Sequence, residues 1–318
     1  MIDNRSSVPY IIQVGALQAT GSVSSYTTPG SALWISGFGG EYGNNASYTS
    51  SGKPAMMTTD QSGCTNGYVG SNGPTQRNQF ENHSGGYSEN TNCNYTSTFN
   101  GTSSAAPTVA GVVALMLEAN ANLTWRDVKH ILATTAVQVG TLSYTFLGVV
   151  QYEWETNSAG YTFHNWYGFG KVDAGEAVST AASYTADSRG TFATTGFISS
   201  GTINSAIAYP DNTISTIAVT KPSGSDDFVE YVRISVVFDH AIPKSIGIRL
   251  LSPDGTVINI MQPMTNIGSN PSGTLFDIGV SGLYGESIEG NWTIVANDYK
   301  SDGTAGKLVL WGIEVYGH

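Results

Sequence analysis

The stretch from residue 99 to residue 119 constrains the fold of this chain more than any other part of the sequence. Phe-Asn-Gly-Thr at residues 99–102 is followed by Ser-Ser-Ala-Ala-Pro-Thr-Val-Ala-Gly-Val-Val-Ala-Leu-Met-Leu-Glu-Ala at residues 103–119. The second segment is apolar nearly all round, so it predicts a buried helix. Pro107 lies near its start, where a proline disturbs a helix least. The small residues there would let the helix pack closely against a sheet.

Ser103 stands where this helix is predicted to begin. Gly101 and Thr102 allow a sharp backbone turn that leaves the Ser103 hydroxyl exposed beside the positive end of the helix. The N–H of Ser103 could stabilise a developing oxyanion, and an exposed serine in this position suits an acyl-transfer nucleophile. Taken alone, however, these residues favour a simple N-cap, because Ser and Thr are common at that position.

The remaining part of the first half predicts strands and two more helices. Residues 9–17 and 31–36 are short apolar runs of the kind found in buried parallel strands. Residues 62–98 are polar with little periodicity, which indicates a long surface excursion. Thr124 to Asp127 resembles a capping box that starts a second helix. A third helix is expected to begin near residues 172–174.

The helical pattern stops after Ser183, and strand alternation appears from Phe228 onward. The apolar side chains of one predicted strand face one way and its polar side chains face the other: Val232, Ile234, Val236 and Phe238 against Arg233, Ser235 and Asp239. Short strands with Gly/Pro turns between them predict a β-sandwich or barrel. The boundary is expected in the Ser/Thr/Gly-rich stretch near residues 184–200.

Charge and cysteine content narrow the classes of function. The chain has 318 residues and a formal net charge of -11, and an acidic surface repels phosphate backbones, so nucleic acid is not expected as a partner. Cys64 and Cys93 could form one disulfide in an oxidising compartment or remain free thiols, and their spacing does not decide between these states.

No run of about 18 apolar residues is present, so no membrane span is expected. A signal peptide is not recognisable in residues 1–30, which enter a predicted strand almost at once, so the chain looks truncated.

Longer motifs resemble a known family. Gly101-Thr102-Ser103-x-Ala105-x-Pro107, followed by the residues up to Leu115, resembles the nucleophile segment of the subtilisin superfamily. Residues 118–130 and 166–174 resemble its kexin/furin branch. Residues 228–234, 250–256, 284–286 and 290–294 resemble the P domain that follows the catalytic domain in proprotein convertases. The resemblance implies an α/β subtilisin-like domain at residues 1–184, partial, with a mostly parallel sheet and buried helices. It implies an all-β sandwich, the P domain, at residues 185–318.

This resemblance implies a secreted serine endopeptidase in which Ser103 is the catalytic nucleophile and a protein or peptide is the substrate. In the family the triad residues follow the order Asp, His, Ser along the chain. The Asp, the His and the oxyanion-hole Asn would therefore precede Met1, in a missing N-terminal half that acts as a partner of this chain. No substitute is expected among the residues that lack the family's motifs: His83, His130, His164, His240, His318, Asp3 and Asp60.

The chain by itself is therefore predicted to have little activity, since a serine without its base is not activated. The alternative is a catalytically inactive fragment in which the P domain serves as a binding or stabilising module. A serine hydrolase of another fold is disfavoured, because no Gly-x-Ser-x-Gly motif surrounds Ser103.

The chemistry requires no cofactor, whereas the resemblance implies structural calcium in the full-length protein. The acidic positions of the kexin branch are matched only in part. Asp3 can match one of them, but Tyr26-Thr27-Thr28 lacks the acid that follows a Tyr-Ser pair in that branch.

Overall fold

The computed structural model describes residues 7–44, 53–69, 78, 80–81, 88–147, 149–265 and 273–318. The first half holds eight short strands and three helices. In chain order these are β1 Gln13–Leu17, β2 Leu33–Phe38, β3 Met56–Thr59, β4 Tyr95–Phe99, α1 Thr102–Ala119, α2 Trp125–Thr134, β5 Tyr144–Phe146, β6 Val149–Tyr152, β7 Glu155–Thr156, β8 Thr162–Phe163 and α3 Ala174–Ser183. A 3-10 turn at Ser88–Asn90 precedes β4.

Only one pair of these strands is parallel. β1 and β2 pair in parallel, with Val14 opposite Ile35, whereas β3 and β4, β5 and β6, and β7 and β8 form antiparallel pairs. A parallel bridge between Ser36 and Lys171 extends the sheet beside β2. Within the described residues the sheet that packs on α1 is therefore parallel, as expected, whereas the antiparallel pairs are separate two-stranded sheets. Residues 9–12 also lie outside β1, because Pro9 and Tyr10 form a turn before the strand begins.

Helix α1 is buried along one face, not all round as its composition predicts. Ser104, Ala105, Val109, Val112 and Met116 are buried, and the helix contacts α3, β1 and β2. The opposite face is exposed and almost free of charge; it consists of Ala106, Pro107, Ala110, Gly111, Ala114, Leu115, Leu117 and Glu118. The prediction failed because apolar composition shows what a helix is able to bury, whereas its neighbours decide what is covered.

By length and composition α1 is also the one helix in the described ranges that could cross a membrane, although the sequence had predicted none. A single helix of this kind is weak evidence, because the core helix of a globular domain passes the same test.

The other two helices begin at side-chain caps. The Thr124 side chain accepts from the Asp127 N–H and the Asp127 side chain accepts from the Thr124 N–H, so the predicted capping box is confirmed. At α3, the side chain of Asp173 accepts from the N–H of Glu176. That helix therefore begins where the sequence predicts.

The second half is a two-sheet β-sandwich. Its strands are β9 Ala193–Thr194, β10 Ile198–Ser199, β11 Ser205–Ile207, β12 Asn212–Val219, β13 Val229–Asp239, β14 Ile246–Leu251, β15 Val257–Met261, β16 Leu275–Val280, β17 Gly290–Asp298 and β18 Gly306–Gly317, with a 3-10 turn at Pro243–Ser245. One sheet has the order β10-β18-β13-β16, with β9 and β11 also paired to β18; the other has the order β12-β17-β14-β15. Side chains of both sheets fill one core, in which Trp292 and Trp311 are fully buried.

Polar contacts join the two halves along an edge that we call the junction. The Ser31 hydroxyl donates to the Gly279 carbonyl over 2.7 Å, and the Ser281 N–H donates to the Ser31 carbonyl over 2.8 Å. The Asn157 amide donates to the carbonyls of Gly282 and Tyr284. Buried apolar side chains from both halves belong to one continuous core cluster. The two halves are therefore packed as a single body in the described structure.

Candidate active site

Ser103 lies in the first turn of α1 with its side chain exposed. The N-cap of the helix is Gly101, and the carbonyl of Gly101 accepts the N–H groups of Ser104 and Ala105. Ser103 is thus not the N-cap, and among the described residues its hydroxyl makes no hydrogen bond. An exposed hydroxyl beside the open N–H groups of a helix start is accessible to a substrate carbonyl.

Two glycines allow the end of β2 to approach α1 at this point. A Cβ on Gly37 would lie 2.8 Å from the Ala105 carbonyl oxygen and 3.0 Å from Val109 Cγ2. A Cβ on Gly39 would lie 2.8 Å from the Gly101 carbonyl oxygen. Any larger residue would push the strand away from the helix, so these glycines keep the serine close to the parallel strand pair.

The loop before Ser103 is held by the segment that follows β2 and by the segment between β1 and β2. The Asn100 side-chain amide donates to the Glu41 carbonyl over 2.9 Å, and the Gly101 N–H donates to the Tyr26 hydroxyl over 2.9 Å. Glu41 in turn accepts from the backbone and the hydroxyl of Ser25. The serine therefore follows a loop whose backbone is fixed on the side facing β2.

Glu81 supports strand β4, which leads directly to that loop. Its Oε1 accepts from the hydroxyls of Thr96 and Thr98 and from the N–H of Ser97, at 2.8–2.9 Å, and the residue is 4% exposed. Sequence reasoning missed this carboxylate because Glu81 lies within the polar excursion, where one acidic residue gives no periodic signal.

The same excursion is closed by the disulfide between Cys64 and Cys93, which settles the alternative left open by the spacing. Cys93 is fully buried, two residues before β4.

The four described histidines all have partners away from Ser103, as expected from their sequence context. His130 contacts the Tyr284 hydroxyl over 3.0 Å, and burial, followed by the charge of Arg189, lowers its pKa to about 4. His164 is fully buried against the Leu142 carbonyl. His240 lies 3.4 Å from Asp298, and His318 lies 2.7 Å from Glu230. None of these rings contacts the serine hydroxyl, so none is placed to remove its proton.

Of the other residues considered in the sequence, His83 and Asp3 lie outside the described residues. Asp60 is described, and its carboxylate accepts from the N–H groups of Gln61, Tyr68 and Val69. Burial alone would raise the pKa of Asp60, but these hydrogen bonds outweigh it and lower the pKa. Asp60 therefore holds a turn of the excursion.

The junction contains a buried ionic cluster that the sequence did not reveal. The Arg126 guanidinium forms an ion pair with the Glu230 carboxylate and also donates to the Gly190 carbonyl over 2.7 Å. Burial alone would raise the pKa of Glu230, but hydrogen bonds from His318 and Arg126 and the charges of Arg126 and Arg189 lower it to about 2. Arg126 and Glu230 are 104 positions apart in the sequence, so no local pattern connects them.

Lys129 lies next to this cluster and is 4% exposed. Its ammonium donates to the Pro9 carbonyl over 2.7 Å and lies 3.9 Å from the centre of the Trp34 ring. Burial lowers the pKa of Lys129 to about 7, a shift that the charge of Glu230 opposes.

A metal site is not evident in the parts of the chain that the structure describes. No group of three or more His, Cys, Asp or Glu side chains there could hold a metal ion. Calcium also binds through backbone carbonyl, amide and water oxygens, so calcium remains a sequence-based prediction.

A separate open cavity of about 670 Å³ lies at the junction. Its wall includes Tyr161, Arg189, Glu286 and His318, but not Ser103. The cavity therefore belongs to the junction and not to the helix start.

The fold is that of a subtilisin-like protein with an appended β-sandwich: a parallel strand pair packs on a helix that begins at an exposed serine, and two antiparallel sheets follow. The chain belongs to the subtilase family, whose family profile matches residues 1–170. Residues 229–315 match the proprotein convertase P-domain. The resemblance inferred from the motifs is confirmed by both matches.

Known relatives agree with this assignment. The Aeromonas extracellular serine protease of Aeromonas sobria is 30% identical over 363 residues, which cover 100% of this chain and 56% of that protein. Proprotein convertase subtilisin/kexin type 6 of Rattus norvegicus is 30% identical, over 68% of this chain and 23% of that protein. The crystal structure of the Aeromonas sobria serine protease in complex with the chaperone ORF2 superposes with a TM-score of 0.80 at 29% identity, covering 96% of this chain and 57% of the other. The chain thus spans about half the length of the Aeromonas relative.

Proposed function

We propose that this chain is the nucleophile-bearing part of a serine endopeptidase and that Ser103 forms the acyl-enzyme. The hydroxyl of Ser103 is exposed in the first turn of α1 and has no hydrogen bond to a described residue, and this observation carries the proposal. The oxygen would attack the scissile carbonyl of a protein or peptide, and the amine would leave with the proton that the hydroxyl gave up. The N–H of Ser103 would donate to the oxyanion.

The base that takes this proton has to come from outside the described residues, because the described histidines are engaged elsewhere. The partner that we propose is a polypeptide that carries the Asp and the His and covers the exposed face of α1. Leu115 and Leu117 on that face are 49% and 39% exposed, which is unusual for leucines of a core helix. The length of the Aeromonas relative that this chain does not cover would accommodate such a segment.

We further propose that the protein acts outside the cell. A disulfide persists in an oxidising compartment, and one relative is named an extracellular protease.

The serine can be tested directly by supplying a diffusible base to residues 1–318. A fluorophosphonate reagent would form a bond between Ser103 Oγ and phosphorus, release fluoride and transfer the hydroxyl proton to added imidazole. We expect mass spectrometry to find phosphonylation on Ser103 that increases with imidazole. We expect none at residue 103 in Ser103→Ala and undiminished labelling in Ser104→Ala, since Ser104 is buried. Labelling spread over surface serines, with none preferred, would contradict the proposal.

Without imidazole, we expect residues 1–318 to leave casein and dibasic peptides intact. Turnover that disappears on Ser103→Ala would show that the chain holds its own base.

A second candidate function is a non-catalytic fragment in which the P domain binds or stabilises other protein. The buried junction favours it, since the sandwich packs tightly on the first half without using Ser103. Reading the gene upstream of the Met1 codon separates the two. An open frame that encodes the family's Asp and His motifs supports the peptidase, whereas a stop codon next to a start site supports the fragment.

A further inference from the structure

The peptide that leads into Ser103 is anchored by one tyrosine. The Gly101 N–H donates to the Tyr26 hydroxyl over 2.9 Å, although the two residues are 75 positions apart. Tyr26 lies between β1 and β2, and Gly101 is the N-cap of α1. This hydrogen bond links the strand pair to the start of the helix.

Gly101 is held from both ends of its backbone. Its carbonyl accepts from Ser104 and Ala105, which begins the helix, while its N–H is bound by Tyr26. Its φ of 98° and ψ of 173° are favoured only for glycine, so any other residue at position 101 would strain this turn. Ser103 follows two residues later, so rotation of the Gly101 peptide would move the Ser103 hydroxyl.

Tyr26 is itself fixed. Its hydroxyl donates to two carbonyl oxygens that share the proton, that of Gly40 at 2.6 Å and that of Gly39 at 2.8 Å. Its ring packs edge-on against Tyr42. A Cβ on Gly39 would lie 3.1 Å from the Tyr26 hydroxyl oxygen, so glycine is needed for this approach. A tyrosine hydroxyl keeps its proton at neutral pH, and burial raises the pKa of Tyr26 further.

We propose that Tyr26 is a positioning residue for Ser103: its hydroxyl joins the end of β2 to the Gly101 peptide and so fixes where the nucleophile lies. The inference rests on the proposed function of Ser103. Reactivity depends steeply on such placement, because a displacement of about 1 Å can cost roughly 100-fold in rate. Tyr26 does not touch the reacting atoms.

Tyr26→Phe tests this, because it removes one hydroxyl and keeps the ring. Residues 1–318 would be labelled with [15N]glycine, and the exchange rate of the Gly101 amide would be measured by NMR. We expect that rate to rise by about tenfold or more, and the imidazole-assisted phosphonylation of Ser103 to slow by about tenfold, the effect of losing one hydrogen bond. The melting temperature should change by only a few degrees.

Thr27→Val is the matched control, since the Thr27 hydroxyl donates to the Ala16 carbonyl over 2.8 Å in the same loop. It should leave both rates within twofold of wild type. Gly39→Ala, which crowds the same anchor from the other side, should slow phosphonylation as Tyr26→Phe does. This second variant retains the test if Tyr26→Phe does not fold.

The inference is overturned if the exchange rate of the Gly101 amide is unchanged in Tyr26→Phe. It is also overturned if Thr27→Val slows the phosphonylation of Ser103 by the same factor as Tyr26→Phe. If Ser103 of the wild-type chain is never phosphonylated, the proposed function is wrong instead. The exchange rate of the Gly101 amide would then still show whether the hydrogen bond to Tyr26 exists.

Discussion

At the scale of single residues, the stability of this protein depends on charged side chains that are buried where the two halves meet. Arg126 and Glu230 are 6% and 5% exposed, and they meet across the junction. A buried ion pair contributes little compared with an apolar pair of the same shape, but losing one partner leaves the other charge uncompensated. The cluster is therefore sensitive to single substitutions.

Arg126→Leu should lower the free energy of unfolding by about 3–5 kcal/mol, because the Glu230 carboxylate stays buried without its main partner. Urea unfolding followed by tryptophan fluorescence would measure it. Arg233→Leu is the control, because the ion pair of Arg233 with Glu314 is more exposed, with 29% of the Arg233 side chain accessible. Its loss should lower the free energy of unfolding by only about 0–1 kcal/mol. Equal losses in the two variants would show that the junction cluster has no special role.

Lys129 should make stability depend on pH. Its pKa is about 7 in the folded chain and returns to its usual higher value on unfolding, so the unfolded chain binds more protons between pH 7 and about 10.5. Stability therefore rises with pH across this window, and the full cost of the buried charge is present below pH 7.

Lys129→Met removes this dependence. We expect the melting temperature of Lys129→Met relative to wild type to be highest at pH 6 and to decline steadily toward pH 10. Lys307→Met, at an exposed position, should show a difference that is constant over the same series of buffers. A constant difference for Lys129→Met as well would mean that Lys129 does not titrate in this range.

At the scale of elements, strand β4 carries the chain into the nucleophile loop and is held by contacts from the segment that precedes it. The Glu81 carboxylate binds three residues of the strand, and the Cys64–Cys93 disulfide closes the segment just before it.

Replacing both cysteines by serine should therefore loosen β3 and β4 first. The bond closes a loop of 29 residues, for which chain entropy predicts a stabilisation of about 3–4 kcal/mol. Hydrogen–deuterium exchange should increase at residues 56–59 and 95–99 in the double variant, whereas β13 and β18 should exchange as in wild type. Uniform loss of protection in all four strands would argue against a local effect.

At the scale of the whole molecule, the two halves share a continuous core, but α1 presents an uncovered apolar face. Apart from Glu118 this face has no charge over the length of the helix. Large uncovered apolar surfaces in soluble proteins mark contact sites. Residues 1–318 in isolation should therefore associate through it.

Leu115→Lys combined with Leu117→Lys should reduce this association without affecting the fold. We expect light scattering to show more monomer, and a dye that binds exposed apolar surface to fluoresce less, with the melting temperature nearly unchanged. Met116→Ala, on the buried face between them, should instead cost about 2–5 kcal/mol of stability and leave association unaltered. A monodisperse wild-type chain would contradict the expectation.

The sequence by itself determined what depends on near neighbours. The capping box at Thr124 and Asp127, the start of α3 and the alternation along β13 follow from contacts within a turn or between successive residues. The motif around Ser103 also placed the serine at a helix start, because glycine permits the positive-φ turn at Gly101 that precedes the helix.

Only the tertiary structure decided the rest. The one-sided burial of α1, the Glu81 hydrogen bonds, the pairing of Arg126 with Glu230 and the bond from Tyr26 to Gly101 join residues that are distant in the sequence or depend on which neighbours are present. A residue's type limits the partners that it can accept, but the path of the chain determines which of them comes within bonding distance.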